Sequence, residues 1–258
     1  MRNDLDRAIW RVARAEVLLV ACDFDGTLSP IVADPAAAAP DFRALKSLFG
    51  LAALPATPVL VISGRAREDV ERRVGPRPTG VAIIGSHGAE SDPYDGTEIH
   101  SDVAVFTGRL APVVDRYPGS ELEPKPFSIA FHLRNVVDEE QAQARQEALE
   151  RVGPLASHVK EGTKVLEFMA VAADKGTALE RYRVTCAAAA TFFVGDDVTD
   201  EAAFRVLRPD DAGVKVGPGP TAARYRVAGQ TDVACLLAAL LQHRTEHMGC
   251  LLYTSPSP

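Results

Sequence analysis

The stretch ACDFDGTLSP at residues 21–30 decides the fold, and it places two aspartates, Asp23 and Asp25, directly before Gly26. It follows the apolar run VLLV at residues 17–20, which is typical of a buried strand in a parallel sheet. Open α/β sheets bind ligands outside the carboxyl ends of their strands, so we expect both carboxylates at such an edge. Two carboxylates this close repel each other unless a cation or a proton separates them. The stretch therefore predicts a metal site, an acid–base pair, or both.

The same order of buried strand and polar loop recurs along the chain. Apolar runs at residues 58–62, 81–85 and 191–194 are each followed by polar residues, and helical patterns lie between several of these runs. Strands that alternate with helices are typical of parallel sheets with helices on both faces. The sequence therefore predicts an α/β protein with a doubly wound, Rossmann-like parallel sheet.

A different pattern interrupts this order between residues 105 and 170. Polar and apolar residues alternate over residues 128–134, and a charged helical segment and two short strand candidates follow. We therefore expect a small α+β cap domain at 105–170, inserted into a core made of 1–104 and 171–247. The last stretch, 248–258, matches neither pattern and is expected to be a disordered or non-native tail.

Composition narrows the class of protein. The chain has 258 residues, of which 47% are hydrophobic, so it can bury a sizeable core. A net charge of −7 argues against a nucleic-acid partner, and no apolar run is long enough to predict a membrane partner. Cys22 and Cys235 lie in apolar runs and are expected to be buried thiols. Without a signal-peptide pattern at the N-terminus, we expect a cytoplasmic protein and, as its simplest state, a monomer.

Polar groups of three kinds collect at the predicted sheet edge: a hydroxyl, an ammonium group and several carboxylates. They belong to Ser63, Lys175, Asp23, Asp25, Asp196, Asp197 and Asp200. Any single aspartate could be a turn former or a helix cap, but the combination is specific. So many carboxylates cannot all stay ionised together, and a divalent cation with oxygen ligands, Mg²⁺ in particular, resolves this. A lysine and a hydroxyl beside such a cation suit a phosphoryl group.

Four segments in this order resemble the four motifs of the haloacid dehalogenase-like phosphatases with a C2 cap. They are DFDGTL at 23–28, SGR at 63–65, KG at 175–176 and GDDVTDE at 195–201. More narrowly, IGSHGAE at 84–90, HLR at 132–134 and the last motif resemble the trehalose-6-phosphate phosphatase family. This resemblance implies an enzyme of trehalose biosynthesis, a phosphoric monoester hydrolase that uses Mg²⁺ and an aspartyl-phosphate to convert trehalose 6-phosphate to trehalose and phosphate.

The resemblance also implies a role for each matching residue. Asp23 would be the nucleophile, and Asp25 would protonate the leaving oxygen and later take a proton from water. Mg²⁺ would be held by the Asp23 carboxylate, the Asp25 carbonyl and Asp196, with Asp200 behind them. The phosphate-binding residues would be Ser63, Gly64 and Lys175. The residues implied for binding the sugar phosphate are Arg65, His87, Glu123, Lys125, Arg134 and Glu167. The cap residues among them could instead be solvated surface charges, and Arg65 and His87 could only brace their loops.

The cap departs from the family pattern at three places. Thr163 stands where a lysine is usual, which leaves Lys164 displaced by one position. Leu133 replaces a tyrosine, and the dipeptide at 169–170 replaces Arg-Pro or Lys-Pro. These departures leave two alternatives open. One is a related sugar phosphatase of the sucrose-phosphate or mannosyl-phosphoglycerate type. The other is a silent regulatory domain that binds sugar phosphate, against which the retained Asp23, Asp25 and Asp196 argue.

Overall fold

The computed structural model describes residues 2–32, 38–90, 97–125, 127–170 and 173–254. It divides the chain into two compact units, a core unit (Met1–Gly88 with Asp174–Pro258) and an inserted unit (Ala89–Ala173). The helices are α1 (Arg2–Val12), α2 (Phe42–Ala52), α3 (Arg67–Val74), α4 (Thr97–Arg116), α5 (Asp138–Val152), α6 (Lys175–Thr185), α7 (Glu201–Val206) and α8 (Gln230–Thr254). The strands are β1 (Leu18–Cys22), β2 (Val59–Ile62), β3 (Val81–Ile84), β4 (Glu121–Lys125), β5 (Ser128–His132), β6 (His158–Gly162), β7 (Val165–Met169), β8 (Ala190–Gly195), β9 (Ala212–Val216) and β10 (Tyr225–Val227).

The core unit is built on a six-stranded parallel sheet of order β10-β9-β8-β1-β2-β3. Alternate residues of β1 serve opposite faces, because Leu18 and Val20 pack with α1, α2 and α8, whereas Leu19 and Ala21 pack with α6 and α7. Burial on both faces explains why β1 and β8 read as continuous apolar runs. The predicted doubly wound sheet is confirmed.

The inserted unit has an antiparallel sheet of order β4-β5-β7-β6. One face of this sheet packs against α4 and α5 through Ile129, Phe131, Leu166 and Phe168. The residues between them along β5 and β7 point to the opposite face, which is called the open face below.

Two predicted boundaries differ from the structure. The inserted unit begins at Ala89 rather than 105, because α4 is one continuous helix whose apolar residues from Val103 onward pack in the core of that unit. It ends at Ala173, three residues beyond the predicted 170.

Helix α8 continues to Thr254, so the expectation of a disordered tail is wrong over 248–254. Residues 255–258 lie outside the described part of the chain.

The two cysteine predictions have opposite outcomes. Cys22 is fully buried in β1, so its predicted burial is confirmed. This burial, and to a lesser extent the charge of Asp23, raises the pKa of its thiol. Cys235 is exposed on α8, so its predicted burial is wrong; its neighbours in the apolar run supply the packing face of the helix instead. Within the described residues, no helix is both long and apolar enough to cross a membrane.

A buried arginine ties the end of the core unit to its beginning. Arg244 of α8 is fully buried, and its guanidinium donates to the carbonyl oxygens of Ala13, Ala15, Glu16 and Ala56 and to the Thr57 hydroxyl. These acceptors lie on the segments that lead into β1 and β2. The position of both strands therefore depends on this side chain.

We expect Arg244→Met to lower the free energy of unfolding of the core unit by about 3 kcal/mol, since several buried acceptors lose their donor. A loss of this size lowers the melting temperature by about 6–12 °C in a chain of this length. The control is Arg72→Met on α3, whose side chain is 66% exposed and forms ion pairs with Glu68 and Asp69. Thermal unfolding followed by circular dichroism checks this, and equal melting temperatures for the two variants would contradict it.

Candidate active site

The predicted catalytic loops meet at one edge of the core sheet. Strands β1 and β8 are neighbours, and their register pairs Cys22 with Val194. Asp23 follows β1 directly, and Asp196 follows β8. The carboxyl ends of parallel strands lie at the same edge, so residues far apart in sequence reach one place.

A buried lysine joins two of these loops. The Nζ of Lys175, the first residue of α6, donates to Asp23 Oδ1 at 2.5 Å and to Asp200 Oδ1 at 2.7 Å. The exposed fractions of these residues are 2% for Lys175, 3% for Asp23 and 0% for Asp200. Burial alone would lower the pKa of Lys175, but the two carboxylates outweigh it and raise the pKa. Lys175 is therefore a permanent cation in this cluster.

The cluster still carries more carboxylates than cations. Carboxylate oxygens of Asp23, Asp196 and Asp200 lie within 4.8 Å of one another. Asp23 Oδ2 and Asp196 Oδ1 are buried, and neither has a hydrogen-bond partner among the described residues. Burial, only partly offset by Lys175, raises the pKa of Asp23 to about 8, and burial with the charge of Asp200 raises the pKa of Asp196 to about 6. Unpartnered carboxylate oxygens with raised pKa values fit a divalent cation with oxygen ligands.

Backbone contacts hold the loops in place. Asp174 caps α6 by accepting from the N–H groups of Gly176 and Thr177 at 2.8 and 2.9 Å, which fixes the start of the helix at Lys175. Asp200 Oδ2 accepts from the Asp197 N–H at 2.9 Å, so both of its oxygens are engaged within the protein. Asp200 therefore braces the loop through both of its oxygens.

Two side chains that the sequence analysis did not single out also brace these loops. Gln230 Nε2 donates to the Gly26 carbonyl at 2.7 Å. Lys215 of β9 is buried, and its Nζ donates to the Asp196 carbonyl. In the sequence, Lys215 differs from its neighbours only as a charged residue within the short apolar strand at 212–216.

Gly26 is required for two reasons. Its φ is +77°, which favours glycine, and a Cβ built on it would lie 1.9 Å from Asp196 Oδ2. The first loop can approach the Asp196 carboxylate only because residue 26 has no side chain.

Asp25 lies apart from the acidic cluster and is held by Arg65. Arg65 Nε and Nη2 donate to the two oxygens of Asp25, each at 2.7 Å, and Nη1 donates to Asp69 at 2.9 Å. Both oxygens of the Asp25 carboxylate are thus engaged by Arg65 in this structure. Arg65 was expected either to bind substrate or to brace its loop. In this structure its hydrogen bonds to Asp25 and Asp69 brace the loop.

The loops after β2 and β3 are in contact with each other. The Ser63 hydroxyl accepts from the Arg65 N–H at 3.1 Å, and the Ser63 carbonyl accepts from the His87 N–H at 2.8 Å. A Cβ on Gly64 would lie 2.5 Å from the His87 ring. His87 itself has φ +56°, a conformation that L-residues seldom adopt. Ser63, Gly64 and His87 thus form one packed unit at the sheet edge.

The expected sugar-binding residues of the inserted unit lie on or next to β4, β5 and β7. Glu167 Oε1 accepts from the Ser128 hydroxyl at 2.7 Å and from Lys125 Nζ at 3.2 Å. Glu123 contacts the His132 ring nitrogen Nε2 at 2.9 Å. The structure therefore brings Lys125 and Glu167 together. Arg134 is exposed in the turn after β5.

Two further residues of this unit were not predicted as site residues. The Ser128 hydroxyl, which belongs to the alternating segment 128–134, shares its Glu167 oxygen with Lys125. Lys160 lies directly opposite Glu167 in the pairing of β6 with β7. The strand pattern placed both segments, but only the register of the four strands shows which side chains are neighbours.

The doubly wound sheet with an acidic cluster at its edge places the chain in the haloacid dehalogenase-like fold class. A family model described as trehalose-phosphatase matches residues 21–231, and the chain belongs to this family. It is 34% identical over 242 residues to a bifunctional trehalose-6-phosphate synthase/phosphatase of Thermoproteus tenax, covering 88% of this chain and 32% of that protein. It is 36% identical over 241 residues to a trehalose-phosphate phosphatase of Mycobacterium avium, covering 84% and 57%. The chain thus spans less than two thirds of either relative.

Solved structures agree with the fold. A trehalose-6-phosphate phosphatase of Aspergillus fumigatus matches with a TM-score of 0.69 and 28% identity, over 92% of this chain and 97% of that one. The C-terminal domain of a trehalose-6-phosphate phosphatase of Candida albicans matches with a TM-score of 0.68 over 93% and 97%. Its identity of 21% supports the fold alone.

We expect Gly26→Ala to lower the free energy of unfolding of the metal-free protein by at least about 2 kcal/mol, because Ala meets both a strained φ and the Asp196 carboxylate. The cost should fall in an Asp196→Ala background, which removes the clash. Gly108→Ala is the control, since a Cβ there meets nothing within 4 Å. Denaturant unfolding of the four variants and the wild type tests this; equal costs in both backgrounds would contradict the proposed close approach.

Proposed function

We propose that this protein is a phosphoric monoester hydrolase that converts trehalose 6-phosphate and water to trehalose and phosphate, with Mg²⁺ as its cofactor. The observation that carries the proposal is the buried pair of Asp23 and Lys175. One oxygen of Asp23 is held by Lys175 and the other has no hydrogen-bond partner among the described residues. A desolvated carboxylate fixed in this way is suited to nucleophilic attack on phosphorus through the oxygen that the cation does not hold.

In the first step, an oxygen of Asp23 forms a bond to phosphorus and the bond from phosphorus to the sugar oxygen breaks. Asp25 donates its proton to that leaving oxygen, which departs as a hydroxyl of trehalose. The ammonium group of Lys175 stays beside Asp23 and offsets negative charge on the phosphorylated aspartate. Arg65 donates to both oxygens of Asp25 in this structure, so the protonated Asp25 that this step needs keeps Arg65 on its carbonyl oxygen alone and turns its O–H to the leaving oxygen.

In the second step, water attacks the phosphorus of the aspartyl-phosphate. Asp25, now ionised, accepts a proton from that water, and Asp23 leaves as a carboxylate. Phosphate is released, and both aspartates return to their starting states. The Ser63 hydroxyl and the backbone at Gly64 are suited to donate hydrogen bonds to the phosphoryl oxygens throughout.

The residues that would hold Mg²⁺ are Asp23 and Asp196 through carboxylate oxygens and Asp25 through its carbonyl, with Asp200 bracing the loop. The unpartnered oxygens of Asp23 and Asp196 support this assignment. When bound, Mg²⁺ supplies positive charge that neutralises the phosphoryl group and the carboxylates around it.

The sugar is assigned to the inserted unit. Glu123, Lys125 and Glu167 offer carboxylates and an ammonium group on one sheet, and such groups hydrogen-bond to vicinal hydroxyls. Similarity to trehalose-phosphate phosphatases supports trehalose 6-phosphate over the sucrose-phosphate and mannosyl-phosphoglycerate alternatives. The retained Asp23–Lys175 pair argues against a silent domain. A cytoplasmic location and a monomeric state stay predictions of the sequence.

Phosphate release from a substrate panel tests the function. The panel is trehalose 6-phosphate, sucrose 6-phosphate, glucose 6-phosphate and an aryl phosphate, and we expect kcat/KM to be highest for the first by at least about tenfold. Asp23→Asn should lower turnover of all four by at least about 10⁴-fold, because the nucleophile is lost. Unchanged folding of the variant is checked by circular dichroism. A preference for another sugar phosphate would refute the substrate, and residual turnover by the variant would refute the nucleophile.

Thermal stability tests the cation site without any turnover. In the metal-free protein, the folded-state pKa values of Asp23 and Asp196, about 8 and about 6, lie above the ordinary value of 3.8. Ionising them therefore costs stability as the pH rises, and a bound cation removes this cost. We expect Mg²⁺ to raise the melting temperature more at about pH 8 than at about pH 5, where protons occupy both carboxyls.

The control for this measurement is Asp196→Asn, which should lose most of the Mg²⁺-dependent shift, whereas Asp138→Asn on the inserted unit should keep it. A shift of equal size at both pH values, or one that survives in Asp196→Asn, would contradict the site.

A further inference from the structure

The open face of the inserted sheet carries one row of side chains that crosses all four strands. Strand register pairs Glu123 with Ala130, Ala130 with Glu167, and Glu167 with Lys160. Residues directly opposite each other in antiparallel strands share a face, with Cβ atoms roughly 5 Å apart for each pair. The three polar residues among them, Glu123, Glu167 and Lys160, are called the polar row below, and Lys160 stands at its end on the edge strand β6.

The neighbours of Lys160 along β6 confirm which way its side chain points. Val159 packs in the apolar core with the helices, and Glu161 forms an ion pair of 2.9 Å with Arg145 of α5. Both therefore lie on the helix side of the sheet. Side chains alternate along a strand, so Lys160 lies on the open face, where it is half-buried.

Glu167 is placed between two cations. On the side of β5 and β4, its Oε1 accepts from Ser128 and from Lys125. On the side of β6, Lys160 is its direct cross-strand partner. Burial alone would raise the pKa of Glu167, but the Ser128 hydrogen bond and the charges of Lys125 and Lys160 outweigh it and lower the pKa. Glu167 is thus an ionised carboxylate flanked by ammonium groups.

The other lysine of this region is directed elsewhere. Lys164 lies in the turn between β6 and β7, and its Nζ pairs with Asp138 at the start of α5 at 3.3 Å. Lys164, which the sequence analysis found one position away from the usual lysine, is therefore held on the helix side of the sheet and does not join the polar row. Lys160 is the lysine that stands opposite Glu167.

We propose that Lys160 is a specificity-determining residue that binds hydroxyl groups of the sugar together with Glu167 and Lys125. This proposal deepens the function proposed above and rests on it. A carboxylate accepts hydrogen bonds from hydroxyls, and an ammonium group donates to hydroxyl oxygens. Lys125, which reaches Glu167 from the neighbouring row, therefore completes a donor–acceptor–donor set with Glu167 and Lys160. This set matches adjacent hydroxyls of a pyranose and has no counterpart on an aryl group.

The test compares Lys160→Met with Lys164→Met, a matched control that removes a lysine from the same hairpin. KM and kcat are measured for trehalose 6-phosphate and for an aryl phosphate. We expect Lys160→Met to raise KM for trehalose 6-phosphate about tenfold, the effect of losing one charged hydrogen bond. Its kcat, and both constants for the aryl phosphate, should stay within about twofold, because the phosphoryl site is untouched.

A second readout does not depend on turnover. Calorimetric binding of trehalose 6-phosphate to Asp23→Asn should weaken about tenfold when Lys160→Met is added, and should recover most of the loss with Lys160→Arg, which restores a donor. Lys164→Met on the same background should bind as Asp23→Asn does. Equal effects of the two lysine variants, or an equal loss on both substrates, would overturn the proposal.

Failure of the proposed function is distinguishable from failure of this inference. If the wild type prefers another sugar phosphate of the panel, trehalose 6-phosphate is wrong as the substrate. The same comparison is then made on the preferred sugar phosphate. A selective loss there supports the role of Lys160, and no selective loss refutes it.

Discussion

The site depends on one interaction, the burial of the Lys175 ammonium group between the carboxylates of Asp23 and Asp200. Burial raises the pKa values of Asp23 and Asp196 by more than Lys175 and Lys215 lower them, and one oxygen of each aspartate has no protein donor among the described residues. This leaves a fixed deficit of positive charge. A divalent cation is the ligand that this deficit favours, and its charge in turn favours the binding of an anionic phosphoryl group.

The fold holds this unfavourable cluster of buried carboxylates in place. The sheet contributes a rigid, fully buried pair of strands, β1 and β8, and the charges begin only where these strands end. Helix capping by Asp174, the absent side chain of Gly26 and the carbonyl contact of Lys215 then set each loop. Apolar burial in the sheet and helices offsets the cost of gathering like charges at its edge, a distribution common at functional sites.

The sequence predicted the sheet well and placed the loops of Asp23 and Asp196 at one edge of it, because strand positions depend on local pattern. Apolar runs bounded by polar residues place the strands, and parallel strands bring Asp23 and Asp196 together whatever lies between them. It placed the first boundary too late, since the apolar face of α4 does not reveal which sheet it covers. It also missed Lys160, Ser128 and the Arg65–Asp25 pair, because cross-strand register and side-chain contacts between distant loops leave no local signal.

The central claim is that Asp23 becomes covalently phosphorylated during turnover. Borohydride reduction of the acid-quenched protein, followed by peptide mass spectrometry, tests it directly, because reduction of an aspartyl-phosphate gives homoserine at the modified position. The account predicts homoserine at position 23 only when substrate and Mg²⁺ are both present, and at no position in Asp23→Asn. Modification at Asp25 or Asp196 instead, or none at all during steady turnover, would contradict it.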